Sequence, residues 1–191
     1  MPRRRRAPLG VPRTSCVDGW ASGAASTVSN VRVVGIDPGL AACGFAVIEG
    51  RSPLQLVEFG CWHTASRQPI ELRLRDLFHE MHVLLGRHRP DAVALEESFV
   101  GRDARTALLV GQVRGALIVA CAQAGVECVE YPPAQVKQAV CGYGRADKRQ
   151  VQQMAKALLR LEETPTPTHA ADALAVAICH ATAPPLLRLT G

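Results

Sequence analysis

The alternation of hydrophobic and polar positions along the chain predicts a succession of strands and helices. Short apolar runs rich in β-branched residues, separated by turn residues such as Pro38 and Gly39, predict five strands. The first three follow one another closely, which is typical of an antiparallel meander. The predicted strands cover residues 31–37, 43–49, 54–63, 91–96 and 126–131.

Segments with apolar residues three and four positions apart predict helices between and after these strands. Asp103, Asp147 and Thr168 stand at the starts of such segments, where an N-cap side chain accepts from backbone N–H groups. Pro90 closes the first helix, and Gly125 ends the second. The predicted helices cover residues 69–87, 103–124, 132–140, 147–162 and 168–181.

The order of these elements predicts an α/β fold. A three-strand meander that parallel strands extend through helical crossovers gives a five-stranded mixed sheet flanked by about five helices. A chain of 191 residues suffices for one domain, which we place at residues 31–182. We expect residues 183–191 to form a flexible tail.

The first thirty residues differ from the rest in composition. They are rich in Arg, Ser, Ala, Gly and Pro and lack strand or helix periodicity, so we expect a disordered basic extension over 1–30. The domain begins abruptly at Val31, and valine is the literal translation of a GTG initiation codon. Our hypothesis is that the native chain starts there, in which case the extension is a mis-assigned start.

The net charge of +5 says little about partners, because the extension accounts for most of it. Its five arginines against Asp18 leave the rest of the chain with a net charge of +1. A local cluster between Tyr131 and Arg160 is more informative, since Asp147 is its one acidic residue. This segment is either a phosphate-facing surface or the solvated side of a helix. Its basic residues are Lys137, Arg145, Lys148, Arg149, Lys156 and Arg160.

The cysteines and the apolar runs bear on the compartment. None of the seven cysteines has the C-x-x-C spacing of metal or redox motifs, and most lie within apolar runs. They predict a reducing compartment, the cytoplasm. Because Gly, Arg or His interrupts the longest apolar stretches, we expect no membrane span. Gly111 and Gly115, four positions apart in the second helix, indicate either packing on the sheet or contact with another subunit.

Three carboxylates occupy unusual positions. Asp37 ends the first strand, Glu96 ends the fourth, and Asp172 lies in an otherwise apolar last helix, three residues after His169. If strands one and four are parallel neighbours, their tips bring Asp37 and Glu96 together, and the last helix can add Asp172. Clustered carboxylates repel one another unless divalent cations lie between them. Two such ions about 4 Å apart are suited to phosphodiester hydrolysis.

Each of these carboxylates also has a simpler interpretation. An Asp before Pro-Gly is often a turn residue, a Glu at a strand end is usually solvated, and a helical Asp is often a surface charge. Glu97 adjoins Glu96, but side chains alternate along a strand, so only one of the two can face the cluster easily. We assign Glu96 to it.

Six motifs in a fixed order resemble those of the RuvC-type Holliday-junction resolvases, which have a ribonuclease-H-like fold. The resemblance extends from Val31 to about Thr182. The motifs are GIDPG at 35–39, ALEESF at 94–99, GQVRGA at 111–116, YPPAQVKQAVCGYG at 131–144, DKRQVQQM at 147–154 and HAADALAVAI at 169–178.

The resemblance implies a homodimeric endonuclease that nicks opposed strands of a four-way DNA junction and leaves 5′-phosphate ends. It implies two Mg²⁺ or Mn²⁺ ions in each active site. Asp37, Glu96, His169 and Asp172 match the catalytic and metal-binding positions of the family. His169 either ligates a metal or acts as general base on the attacking water. Because imidazole suits Mn²⁺ better than Mg²⁺, we expect faster cleavage with Mn²⁺.

The resemblance also implies DNA contacts and partners. Lys137 and Lys148 match basic residues near the active site, and Phe99 matches an aromatic residue that inserts at the crossover. Arg145 and Arg149, from the basic cluster, are further candidate DNA-binding residues. The implied partners are four-way junction DNA, a second copy of the chain and the RuvA–RuvB branch-migration complex, with no membrane.

Other functions leave different signatures. A non-catalytic junction-binding module would not need the acidic cluster. A ribonuclease H or a transposase core would share the chemistry but cut another nucleic acid. An actin-like ATPase needs two domains and a second phosphate loop, for which the chain is too short.

Overall fold

The computed structural model of the chain describes residues 31–97 and 103–183. Five strands and five helices occur in the described residues, in the predicted order. The strands are β1 (Arg32–Asp37), β2 (Ala42–Glu49), β3 (Gln55–His63), β4 (Ala92–Glu96) and β5 (Glu127–Tyr131). The helices are α1 (Ile70–His88), α2 (Ala104–Ala124), α3 (Pro133–Cys141), α4 (Lys148–Leu158) and α5 (Thr168–Thr182).

The strands form one mixed sheet in the order β3-β2-β1-β4-β5. β1 pairs antiparallel with β2 and parallel with β4, so the meander and the crossover strands meet at β1. The register places Ile36 opposite Leu95. The next residues along the two strands are Asp37 and Glu96, and both strands end at the same edge of the sheet. The expected α/β fold and the adjacency of strands one and four are confirmed.

The helices cover the two faces of the sheet in separate layers. α1 and α2 pack on one face, with buried residues such as Leu77, Met81 and Leu117. α3, α4 and α5 cover the other face, with buried residues such as Val136 and Ile178. Burial of a Leu, Ile or Met side chain stabilises the fold by about 1.5–3 kcal/mol.

Helix α5 lies directly against the backbone of the sheet because two strand residues lack a side chain. A Cβ at Gly35 would collide with the backbone oxygen of Ala173, and one at Gly44 would collide with the backbone oxygen of His169. Alanines along the helix keep the approach close, and Ala170, Ala173 and Ala177 are fully buried. The first turns of α5 therefore lie over the edge of the sheet where β1 ends.

Helix boundaries agree with the sequence at most positions. Asp103 caps α2 by accepting from the backbone N–H of Arg105, and Asp147 forms a capping box with Gln150 on α4. α4 ends at Leu158 rather than at residue 162, because Arg160 adopts a left-handed conformation with φ 53°. The predicted cap at Thr168 is wrong: Pro167 is the N-cap of α5, and its side chain makes no capping hydrogen bond.

Helix α2 departs from the expectation about membrane spans. By length and composition alone it could cross a membrane, and only 22% of its apolar window is buried. Val113, Leu117, Ala120 and Cys121 are buried against the rest of the domain. Leu108 and Val119 remain exposed by 65% and 51%, so the helix presents an apolar surface as well as a packed one.

Candidate active site

Strand tips supply the first two acidic groups of the site. Asp37 and Glu96 are half-buried at the ends of β1 and β4. They follow strands that are fully apolar in their interiors, because both faces of the sheet carry helices. Pro38 after Asp37 favours extended geometry, which prolongs the strand to its last residue.

The first two turns of α5 supply the other two groups. His169 Nδ1 lies 2.7 Å from Asp37 Oδ2, across 132 positions of sequence. One ligand atom each from Asp37, His169 and Asp172 lies within 4.8 Å of the other two. This convergence depends on Gly35 and Gly44, since a side chain at either would displace α5 from the sheet.

Glu96 lies beside this group and is strongly affected by it. Burial, together with the charges of Asp37 and Asp172 and a hydrogen bond to Asp37, raises the pKa of Glu96 to about 8. Burial also raises the pKa of Asp172, although Lys148 opposes that shift. Burial and mutual repulsion thus disfavour the charged form of these carboxyls, and a bound divalent cation would offset both effects.

Lys148 and Lys137 border a cleft beside the acidic groups. Lys148 lies in the first turn of α4, and its Nζ donates to Asp172 Oδ2 at 2.7 Å. The cleft has a volume of about 260 Å³, and Glu96, Asp172 and the two lysines form its polar side. Pro133, Val136, Val151 and Ala175 form its apolar side.

The structure separates the remaining candidates. Arg145 precedes α4, and Arg149 lies in its first turn; both are exposed. Neither makes an ion pair among the described residues. Phe99 lies outside the described residues. Glu97 is exposed beyond the end of β4, which agrees with the assignment of Glu96 to the cluster.

Two contributions to the site escaped the sequence analysis. The apolar side of the cleft comes from α3, α4 and α5, and its valines look like ordinary core positions in sequence. The second is a hydrogen bond in which the buried Nδ1 of His180 is 2.9 Å from the hydroxyl of Tyr131. Tyr131 is the register partner of Glu96, so this hydrogen bond ties the end of β5 to α5. No spacing rule links these two residues, which are 49 positions apart.

The donor set suits a hard divalent cation. Carboxylate oxygens are the preferred ligands of Mg²⁺ and Mn²⁺, and a single imidazole nitrogen is compatible with Mn²⁺ in particular. Asp37, Asp172 and His169 offer such atoms within 4.8 Å of one another, with the Glu96 carboxyl adjacent. Thiol ligands, which would favour softer metals, are absent from this group.

A meander extended by parallel strands, with acidic groups on two strand tips and on the last helix, defines the ribonuclease-H-like class of metal-dependent nucleases. The family model of crossover junction endodeoxyribonuclease RuvC matches residues 33–180. The chain therefore belongs to the RuvC family of crossover junction endodeoxyribonucleases.

Individual relatives agree with this assignment. A crossover junction endodeoxyribonuclease RuvC from Thermomicrobium roseum is 51% identical over 150 residues, which cover 78% of this chain and 92% of that protein. The Thermus thermophilus RuvC structure is 40% identical with a TM-score of 0.75, covering 80% of this chain and 94% of that one. T. thermophilus RuvC in complex with a Holliday junction substrate has a TM-score of 0.77 at 39% identity, covering 80% of this chain and 93% of that one.

Proposed function

We propose that this chain resolves four-way DNA junctions by paired symmetric nicks, with Asp37, Glu96, His169 and Asp172 as its catalytic residues. The observation that carries the proposal is the convergence of Asp37, His169 and Asp172 within 4.8 Å, beside the half-buried carboxyl of Glu96. Membership in a family of junction endonucleases supports the choice of substrate.

Asp37, Asp172 and Glu96 would hold the cations. Bound Mg²⁺ or Mn²⁺ supplies Lewis-acid activation of the scissile phosphate and of the attacking water, and two ions suit in-line displacement. A bound cation would favour the ionised form of Glu96, so Glu96 would act as a ligand in its carboxylate form. Asp37, at the tip of β1, serves both the cation site and His169.

His169 has two candidate roles, and its contact with Asp37 favours the general base. A hydrogen on Nδ1 that is donated to Asp37 leaves the lone pair of Nε2 free to accept a proton from water. A ligand role for the imidazole is the alternative, and the expected advantage of Mn²⁺ over Mg²⁺ depends on it. His169→Ala separates the two: loss of a ligand weakens Mn²⁺ binding, whereas loss of a base slows cleavage at unchanged Mn²⁺ affinity.

DNA contacts are proposed for Lys137, Lys148, Arg145, Arg149 and Phe99. The lysines border the cleft beside the acidic groups, so they are suited to the scissile phosphate. The exposed arginines extend the positive surface along the start of α4. For Phe99 the support is the match of ALEESF to the family motif. Stacking of an aromatic ring on an unpaired base contributes about 1–3 kcal/mol.

A homodimer is proposed on the apolar surface of α2, named here the α2 surface and defined by Leu108, Gly111, Gly115, Ile118 and Val119. All five residues are exposed in one subunit, and added side chains at the two glycines would meet nothing within 4 Å. A second copy of the chain would cover this surface and place two active sites on one junction, as two opposed nicks require.

Two further proposals rest on family membership. We assign the RuvA–RuvB branch-migration complex as a partner, because this family cuts junctions that such a complex moves. We place the enzyme in the cytoplasm, with its DNA. The proposals of a basic extension before the nuclease domain at 31–182 and of a flexible tail after it concern residues that lie largely outside the described ones.

The decisive experiment compares the wild type with Asp37→Asn on three substrates in Mg²⁺: a four-way junction, a linear duplex and an RNA–DNA hybrid. We expect the wild type to cut only the junction, at symmetric positions. Asp37→Asn should bind the junction with unchanged affinity and cut it at least 100-fold more slowly, a loss of about 3 kcal/mol of transition-state stabilisation.

Each alternative predicts another pattern. Preferred cutting of the hybrid would indicate a ribonuclease H, and equal cutting of the duplex would indicate a less selective nuclease. A wild type that binds the junction but cuts nothing would indicate a non-catalytic binding module. Cleavage by Asp37→Asn at the wild-type rate would refute the proposed site.

A further inference from the structure

The connection between α3 and α4 holds an exposed aromatic residue that the proposed mechanism does not use. Tyr143 is 45% exposed, one of the few large hydrophobic side chains on the surface of the described residues. The connection, residues 142–147, joins the two helices that contribute Lys137 and Lys148 to the catalytic cleft. It is named here the Tyr143 loop.

The Tyr143 loop is fixed on both sides of the tyrosine. Gly142 has φ 84°, which favours glycine, and its N–H donates to the Gln138 carbonyl at 2.9 Å. The amide of Gln138 donates back to the Gly142 carbonyl at 2.6 Å. Gly144 packs so closely on α3 that a Cβ there would lie 3.1 Å from the backbone oxygen of Ala134, and Ala146 is buried. The loop therefore presents Tyr143 to solvent from an ordered backbone, so little ordering entropy opposes binding.

Basic residues follow Tyr143 closely in the sequence. Arg145 lies two residues after Tyr143 and is exposed, and Lys148 begins the next helix beside the acidic cluster. Asp147 is the one acidic residue of the segment, and its side chain is engaged in the cap of α4. An exposed aromatic ring that is close in sequence to cationic residues, on the loop that joins the two helices of the cleft, is suited to stacking on unstacked bases of DNA strands.

We propose that Tyr143 is a second aromatic DNA contact, which stacks on an unpaired base near the crossover while Arg145 contacts the adjoining phosphate. The proposal rests on the proposed junction substrate and is separate from the insertion assigned to Phe99. The ring positions the strand by stacking and takes no part in the chemistry. The site selects for exposed bases, since bases inside a linear duplex offer no free face.

Binding of a fluorescently labelled four-way junction and of a linear duplex tests the proposal. All variants carry Asp37→Asn so that the DNA stays intact. We expect Tyr143→Ala and Tyr143→Leu to raise the junction dissociation constant by about 5- to 100-fold at unchanged duplex affinity. Tyr143→Phe should bind like the parent, because stacking needs the ring and not the hydroxyl. The fluorescence of 2-aminopurine placed at the crossover should be quenched when the parent or Tyr143→Phe binds the junction. It should not be quenched when Tyr143→Ala binds.

Matched controls distinguish stacking from charge and from folding. In a plot of the logarithm of the junction affinity against the logarithm of the salt concentration, Arg145→Ala should reduce the steepness of the slope by about 1, the value for one phosphate contact. Tyr143→Ala should leave this slope unchanged. Val57→Ala truncates a side chain of similar exposure, 41%, at the far edge of the sheet and should change nothing. The proposal is overturned if Tyr143→Ala binds the junction like the parent, or if it weakens junction and duplex equally. A parent that binds no junction refutes the proposed substrate instead.

Discussion

Helices α5 and α2 are both predominantly apolar, yet their surroundings in the fold differ. Residues 173–181 of α5 are buried without interruption, between the sheet on one side and α3 and α4 on the other. α2 buries a single stripe of residues and leaves Leu108, Ile118 and Val119 exposed. The two helices have a similar apolar composition. They differ because α5 is covered on both sides, whereas α2 is covered by the domain on one side.

The glycines near the two helices make the same distinction. Gly35 and Gly44 lie in strands, and backbone atoms of α5 fill the space that their side chains would need. Gly111 and Gly115 lie in α2 and have open space around them. The first pair brings two chain segments together within the subunit and so creates the active site. The second pair leaves open space on the α2 surface, where we propose the contact with another subunit.

The largest expected effect comes from replacing glycine with alanine, once in the strand beneath α5 and once in α2. Gly35→Ala places a methyl group on the α5 backbone and should lower the free energy of unfolding by about 1–3 kcal/mol or more. Gly115→Ala meets nothing in the subunit and should raise it by up to about 1 kcal/mol through helix propensity. Urea denaturation measures both. Equal losses for the two variants would contradict the distinction between the helices.

Charges on the α2 surface test its role in self-association. Leu108→Glu with Val119→Lys should weaken the dimer by about 10- to 100-fold, because partial burial of the two side chains at a subunit contact would contribute about 1.5–3 kcal/mol in total. Sedimentation velocity over a concentration series measures the change. Val57→Lys, at an exposed position of the edge strand β3, is the control and should leave the mass unchanged. An unaltered dimer in the double variant would place the subunit contact elsewhere.

The charge that α5 brings to the sheet edge predicts a pH dependence of stability. The folded protein raises the pKa of Glu96 from 4.5 to about 8, so it favours the protonated carboxyl. Without divalent cations, stability should therefore fall as the pH rises between these two values. Glu96→Gln should melt a few degrees higher than the wild type at pH 8.5 and show a smaller difference at pH 5.

Thermal melts in a chelator measure this difference, and added Mg²⁺ should stabilise the wild type more than Glu96→Gln. If both proteins show the same pH slope in the chelator, Glu96 does not contribute to it.

The smallest expected effect concerns the ion pair between the ammonium group of Lys148 and the carboxylate of Asp172. Lys148 Nζ contacts the carboxylate at 2.7 Å, so it competes with a cation for the same group. Lys148→Met should raise the Mn²⁺ affinity about fivefold, as expected for a partly exposed ion pair. Lys137→Met removes an equal charge from the same cleft, but Lys137 makes no ion pair with Asp172 among the described residues, so this variant should change the affinity less. Titration calorimetry or electron paramagnetic resonance measures both.

Much of the site was predictable because its residues interrupt patterns. Asp37 and Glu96 each follow an apolar strand, and Asp172 interrupts an apolar helix, so all three stand out without a structure. Gly35 and Gly44 do not stand out, since nothing local distinguishes a glycine that receives a helix from one in an ordinary strand. The hydrogen bond of Tyr131 with His180 was unpredictable for the same reason, because both residues look like core positions.

The amino-acid sequence by itself determined the order of strands and helices, the antiparallel meander and the acidic residues that end buried elements. These features depend on local periodicity, capping and backbone restriction, which act within a few residues. Tertiary structure decided that α5 rests on Gly35 and Gly44, that His169 meets Asp37, and that α2 keeps an apolar side in solvent. Those outcomes depend on close packing between distant segments, where a single methyl group determines whether two backbones can approach.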